Sequence, residues 1–165
     1  MGVKLIFDNL PTAFRDGTDM AAREGMAMGA YYAGLAINQV NVGNVHAIAH
    51  QLGGKYGIPH GLANALVLPH VLDFCHEEAR QRLAELAVLI GQGEPAEDDG
   101  QLAHLFIKAV RDLRTEVGIP DHSDLIKRED YDYLIDLAIA EGALYPVPRL
   151  LDRQSVLSIL THITN

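Results

Sequence analysis

Three histidines fall within fifteen residues, at His46, His50 and His60, inside the segment Gly43-Asn44-Val45-His46-Ala47-Ile48-Ala49-His50-Gln51-Leu52-Gly53-Gly54-Lys55-Tyr56-Gly57-Ile58-Pro59-His60-Gly61-Leu62-Ala63-Asn64-Ala65. His46 and His50 are four apart, so a helix carries both on one face, about one turn from each other. His60 follows a short Gly/Pro-rich loop and opens a second helix, with Pro59 near its first turn. A helix–loop–helix folds His60 back against the His46/His50 face. A lone interior histidine is ordinarily a hydrogen-bonded packing residue. Three of them on facing helices, with no salt-bridge partner nearby in sequence, point to metal ligation or proton transfer.

The surrounding residues narrow that chemistry. A zinc-protease motif needs Glu beside the first histidine, and Ala47 stands there. A di-iron carboxylate bundle needs Glu on several helices, and none occurs between Glu24 and Glu77. The chain has one cysteine, Cys75, which excludes cysteine-based structural zinc. What remains is a mononuclear site with imidazole ligands, completed by groups from elsewhere. Neutral imidazole suits Fe, Zn, Ni or Cu, so the residues alone do not choose the ion.

The elements that must position the histidines are set by a local absence of charge. From Gly25 to Leu72, 48 residues carry one Asp, Glu, Lys or Arg, namely Lys55. The chain average of 21% would place about ten there. Asn38, Gln39, Asn41 and Asn44 interrupt the run too often for a membrane span, so the block reads as a pair of helices buried in a globular domain. Gly25 and Gly29, with Ala33, would let a neighbouring helix come close. Elsewhere the apolar spacing is helical: Glu77 to Ile90, closed by Gly91; Leu102 to Val117, ended by Gly118 and Pro120; Tyr131 to Ala140; and Ser155 to Ile163, N-capped by Asp152. Loops fall at 92–99, 120–124 and 142–151. The first ten residues resemble the last turns of a helix ending at Pro11, a hint that Met1 lies inside a longer ancestral chain. No stretch alternates with period two. The expectation is one all-α domain over residues 1–165 with six to eight helices.

Composition agrees with a globular chain: 165 residues, 48% hydrophobic, and a mean hydropathy of +0.06. The net charge of −9 argues against nucleic acid as a partner, because phosphate binding wants a basic face. A single cysteine and no signal-peptide pattern give a cytoplasmic expectation.

The histidine segment closely resembles the signature of the iron-containing (group III) alcohol dehydrogenase family. The resemblance runs through His-Ala-Ile-Ala-His, Leu-Gly-Gly, Pro-His-Gly-Leu-Ala-Asn-Ala and Leu-Pro-His at 68–70. It extends to Asn9-Leu10-Pro11, Val117-Gly118-Ile119-Pro120 and Leu144-Tyr145-Pro146-Val147-Pro148-Arg149, covering essentially the whole chain. It implies an all-α C-terminal domain in which His46 and His60 bind a divalent metal, Fe²⁺ or Zn²⁺. It implies that His50 lies beside the nicotinamide of NAD(P) and a small alcohol or aldehyde substrate, where it handles protons. Gln51, where many members have Pro, departs from the pattern and is expected to sit off the histidine face. The family's nucleotide-binding domain and its other two metal ligands, an Asp and a His, have no counterpart here, and no Gly-x-Gly-x-x-Gly follows a strand. The expectation is therefore the metal-binding domain of an NAD(P)-dependent alcohol dehydrogenase, inactive by itself and homo-oligomeric through the apolar patch left where the missing domain would cover the histidine face. The competing expectation is a non-enzymatic helical domain that keeps the fold only.

Overall fold

The computed structural model describes residues 1–165. It holds eight α-helices and one short 3₁₀ turn. No strand forms, in keeping with the all-α expectation; the one β-type pairing is an isolated bridge between Ser123 and Thr164. The chain folds as two compact units, one made of residues 1–41 and 79–118, the other of 42–78 and 119–165.

The first unit is built on α1 (Gly2–Arg15), α2 (Met20–Val40) and α6 (Asp99–Glu116). Helix α1 runs through Pro11 instead of ending there. A proline costs the bond to the carbonyl four residues back, yet the helix continues for four residues to Arg15. Asp19 caps α2 by accepting from the Ala22 N–H at 2.9 Å. The small residues of α2 do what their spacing suggests: a Cβ at Gly29 would meet Ile6 at 3.1 Å, and one at Gly25 would overlap the Asn9 side chain, so α1 is seated against both. Phe7 of α1 meets Phe106 of α6 with ring centroids 6.1 Å apart. The charge-poor block differs from expectation here. Only Ala22 and Gly29 of α2 are buried, while Met28, Tyr31, Tyr32 and Leu35 are exposed along one stripe.

The second unit packs α3 (Asn44–Tyr56) between α4 (His60–Phe74) and α7 (Tyr131–Gly142), with α8 (Arg153–Ile163) laid on α4 and α7. Its core is aliphatic and fully enclosed: Ile48 and Leu52 of α3, Leu66 and Val67 of α4, Leu134 and Ile135 of α7, Val156 and Leu160 of α8. Each buried Leu or Ile contributes about 2 kcal/mol by removal from water. Asp152 caps α8 as the sequence indicates, and Ser155 returns the contact to complete a reciprocal capping box. Helix α7 runs two residues beyond Ala140, to Gly142. This extension carries Glu141 into the helix.

Two local devices fix α3. At its end Gly57 adopts φ 68°, ψ 20°, and its N–H bonds the Gly53 carbonyl at 2.9 Å. Ile58, which is buried, and the exposed Pro59 complete a three-residue connection, and α4 starts at His60. On the α7 side, Asp130 accepts from the Lys55 ammonium at 2.9 Å and from the Tyr56 hydroxyl at 2.9 Å. The Lys55 bond, followed by that of Tyr56, holds the Asp130 carboxyl below its ordinary value.

Two outcomes follow. Gly57→Ala places a side chain in the left-handed region, and urea unfolding should register a loss of about 1–2 kcal/mol. Asp130 has a depressed folded-state pKa, so its contribution is complete above about pH 4 and is lost as pH falls through the depressed value. The wild-type chain should therefore lose more stability than Asp130→Asn between about pH 5 and pH 2. Equal acid sensitivity in urea titrations of the two proteins would contradict this role for Asp130.

Candidate metal and proton-transfer site

The turn at Gly57 brings the three sequence-identified histidines together. Ring centroids lie 5.5 Å apart for His46 and His50, 5.3 Å for His46 and His60, and 5.5 Å for His50 and His60. His50 and His60 are nearly stacked, at 26°, whereas His46 meets His50 edge-on at 75°. The helix face opposite the histidines is buried through Ala47, Ile48 and Leu52. The imidazoles are left partly open: His46 is half-buried, and His50 and His60 are exposed.

Electrostatics keep His46 neutral. Burial lowers its pKa most, and the neighbouring His50 and His60 lower it further. A neutral ring is the form that donates a lone pair to a metal. His60 has its Nε2 3.2 Å from the Asn64 amide nitrogen, which also donates to the His60 carbonyl at 2.8 Å. Losing the longer of these two contacts frees the imidazole at small cost. Cys75 is a buried free thiol, and burial pushes its pKa up, so it stays protonated and is no thiolate ligand. The donor chemistry thus suits a borderline divalent ion held by two imidazoles. No three His, Cys, Asp or Glu side chains of the chain are arranged to hold one metal ion.

One participant escapes the sequence reading. Glu141, 91 positions from His50, places Oε1 2.6 Å from the His50 Nδ1. The histidine cluster is therefore not free of a carboxylate partner. The Tyr145 hydroxyl donates to the same oxygen at 2.6 Å, and Gln51 Nε2 donates to Oε2 at 2.6 Å. Burial pushes the Glu141 carboxyl up, but the bonds from Tyr145, His50 and Gln51 outweigh it and hold the group below its ordinary value. The bond to Glu141 in turn raises the Tyr145 hydroxyl to about 12. Gln51, where the sequence departs from the family pattern, takes part in this network. It is anchored by the Ala47 carbonyl at 3.0 Å and reaches Glu141, a donation that Pro could not make. The one sequence signal for Glu141 is its place three residues before the matched Leu144–Arg149 stretch.

The other histidines lie apart from this cluster. His70 faces His162 with ring centroids 5.3 Å apart. His122 is in a loop, and the His76 side chain is only 11% exposed. No helix is long and apolar enough to cross a membrane.

Comparison with known proteins agrees with this architecture. The family description "Fe-containing alcohol dehydrogenase family, C-terminal" matches residues 1–164. A 1,3-propanediol dehydrogenase of Citrobacter freundii is 39% identical over 149 residues, which make up 89% of this chain and 38% of that protein. Alcohol dehydrogenase 4 of Saccharomyces cerevisiae is 36% identical over 96% of this chain and 41% of its own length. Among solved structures, a 1,3-propanediol oxidoreductase superposes with a TM-score of 0.92 at 37% identity, covering 97% of this chain and 42% of that one. An alcohol dehydrogenase from Oenococcus oeni gives 0.91 at 36% identity, covering 98% and 43%. The chain spans about two fifths of the length of these relatives.

Proposed function

The chain belongs to the iron-containing alcohol dehydrogenase family, matching its C-terminal part, and on that premise we propose that it is the metal-binding part of an NAD(P)-dependent enzyme interconverting small alcohols and aldehydes. The observation that carries the reading is the convergence of His46, His50 and His60 to ring separations of 5.3–5.5 Å at the family's signature. His46 and His60 would hold the divalent ion, Fe²⁺ or Zn²⁺, as neutral imidazoles. When bound, the ion supplies Lewis acidity toward the alcohol oxygen while hydride passes to the nicotinamide. His50 accepts the proton of the alcohol and passes it toward solvent, a role suited to a partly exposed ring with a carboxylate behind it. The packed face of α3 under the cluster keeps these groups on a rigid support.

With two protein ligands in place of the usual three or more, the ion should exchange readily with buffer. The chain also offers no Gly-rich turn to hold a pyrophosphate. We therefore expect the 165 residues alone to bind metal weakly and to turn over slowly, if at all.

Calorimetric titration of the chain with Zn²⁺, and with Fe²⁺ under argon, tests the assignment. His46→Ala and His60→Ala should each weaken binding at least tenfold, whereas His50→Ala should change it by less than about threefold. Retained affinity after removal of either ligand would leave the helical-scaffold alternative in its place. Nicotinamide absorbance with short alcohols should show turnover well below about one per second, the low end of ordinary enzymes.

Self-association belongs to the same reading. The α2 stripe of Met28, Tyr31, Tyr32 and Leu35 is apolar and exposed at 41%, 59%, 39% and 47%. Soluble monomers seldom leave such a contiguous patch open, and a second copy can cover it in a two-fold arrangement. Sedimentation at micromolar concentration should give a species larger than 18.0 kDa, and a persistent monomer would rule this out.

A further inference from the structure

The carboxylate of Glu141 has no structural duty that accounts for how completely it is occupied. It caps no helix, and its side chain is 24% exposed, where water could have served it. Instead three side-chain donors converge on it at 2.6 Å each. Both oxygens are committed. Oε1 takes the His50 ring and the Tyr145 hydroxyl, and Oε2 takes the Gln51 amide. Gln51 is itself tethered to the Ala47 carbonyl of its own helix, so the carboxylate cannot rotate about its last bond without breaking a contact.

We infer that Glu141 is a positioning residue that fixes the tautomer of His50, with Gln51 and Tyr145 as the clamp that holds it in place. The argument is one of donors and acceptors. Glu141 is held ionised by its three donors, and an ionised carboxylate only accepts. The His50 nitrogen 2.6 Å from it must therefore carry a hydrogen, which makes Nδ1 the protonated atom. The lone pair is left on Nε2. A neutral imidazole with no such partner prefers the reverse, with the proton on Nε2, so Glu141 overturns the intrinsic preference. A charge-assisted bond has the strength to do so. The ring is held at the same time, edge-on to His46 and stacked on His60.

The use of that lone pair as the acceptor of a substrate proton rests on the oxidoreductase reading above. The tautomer itself does not. If Glu141 only tied α7 to α3, its removal would change stability and leave the His50 tautomer alone.

The test is long-range ¹H–¹⁵N correlation of histidine-labelled chain, free of metal, at about pH 8.5 where imidazoles are neutral. Signals are assigned with His50→Gln and His162→Gln. The wild-type chain should show His50 with Nδ1 protonated and Nε2 bare. In Glu141→Ala, His50 should cross over to a predominantly Nε2-protonated ring. His162, whose Nδ1 lies 2.7 Å from the Ser158 carbonyl, should keep its Nδ1 proton and report that the fold is intact. An Nε2-protonated His50 in the wild type overturns the inference, and so does an unchanged His50 in Glu141→Ala. Should that variant unfold, the wild-type spectrum decides alone. Because no metal, cofactor or turnover enters the measurement, its failure is separable from failure of the proposed function.

Discussion

Helix α3 can display His46 and His50 toward the His60 ring of α4 only because its other faces are enclosed on two sides. Ile48 and Leu52 are fully buried in the core built by α4, α7 and α8. That burial supplies the free energy that fixes the helix, and the histidines are carried on it without contributing to the core. A cluster of like groups is a poor source of stability, and His50 and His60 both disfavour protonation of His46. The aliphatic packing beneath it must therefore be sufficient by itself. The division of labour places the rigid element first and the chemistry on top of it.

The connection between α3 and α4 is the second constraint. Three residues suffice because Gly57 reverses the chain in a conformation that a side chain resists, and Pro59 presets the start of α4. A longer loop would leave the His60 position to chance. This explains why the histidine constellation was legible in the sequence. The four-residue spacing of His46 and His50, the Gly-Ile-Pro turn and the next histidine are all local signals, and local signals survive into the fold.

Glu141 was not legible for the opposite reason. It lies 91 positions from the ring it touches, and only the packing of α7 on α3 brings them together. The apolar spacing of α7 fades after Ala140, so a reading by periodicity stops one residue short of the functional carboxylate. Gln51 stands beside His50 in the sequence but off the histidine face by helical geometry, and that same offset turns it toward Glu141 of α7. The burial expected for α2 failed on another physical point. Absence of charge marks a surface that avoids bulk water or awaits cover, and does not by itself say that the cover lies within the same chain. Pro11 shows the limit of a breaker rule: a proline removes one hydrogen bond, and α1 continues regardless.

The distribution of charge around the cluster separates the roles of its members. The carboxylate that touches the histidines directly is bonded to His50 and to neither His46 nor His60. A carboxylate held against His46 would favour the imidazolium and so compete with any cation for the same lone pair. Glu141 acts on His46 only through space, as the smallest influence on its pKa, and burial with the two neighbouring imidazoles outweighs it. His50 needs the reverse treatment, because a ring that is to receive a proton benefits from a negative group behind it. Glu141 in turn has its charge spread over three donors, so it steadies His50 without drawing the proton onto itself. The proposed ligand and the proposed base thus stand 5.5 Å apart on one helix, distinguished less by their own chemistry than by which of them is bonded to Glu141 of α7.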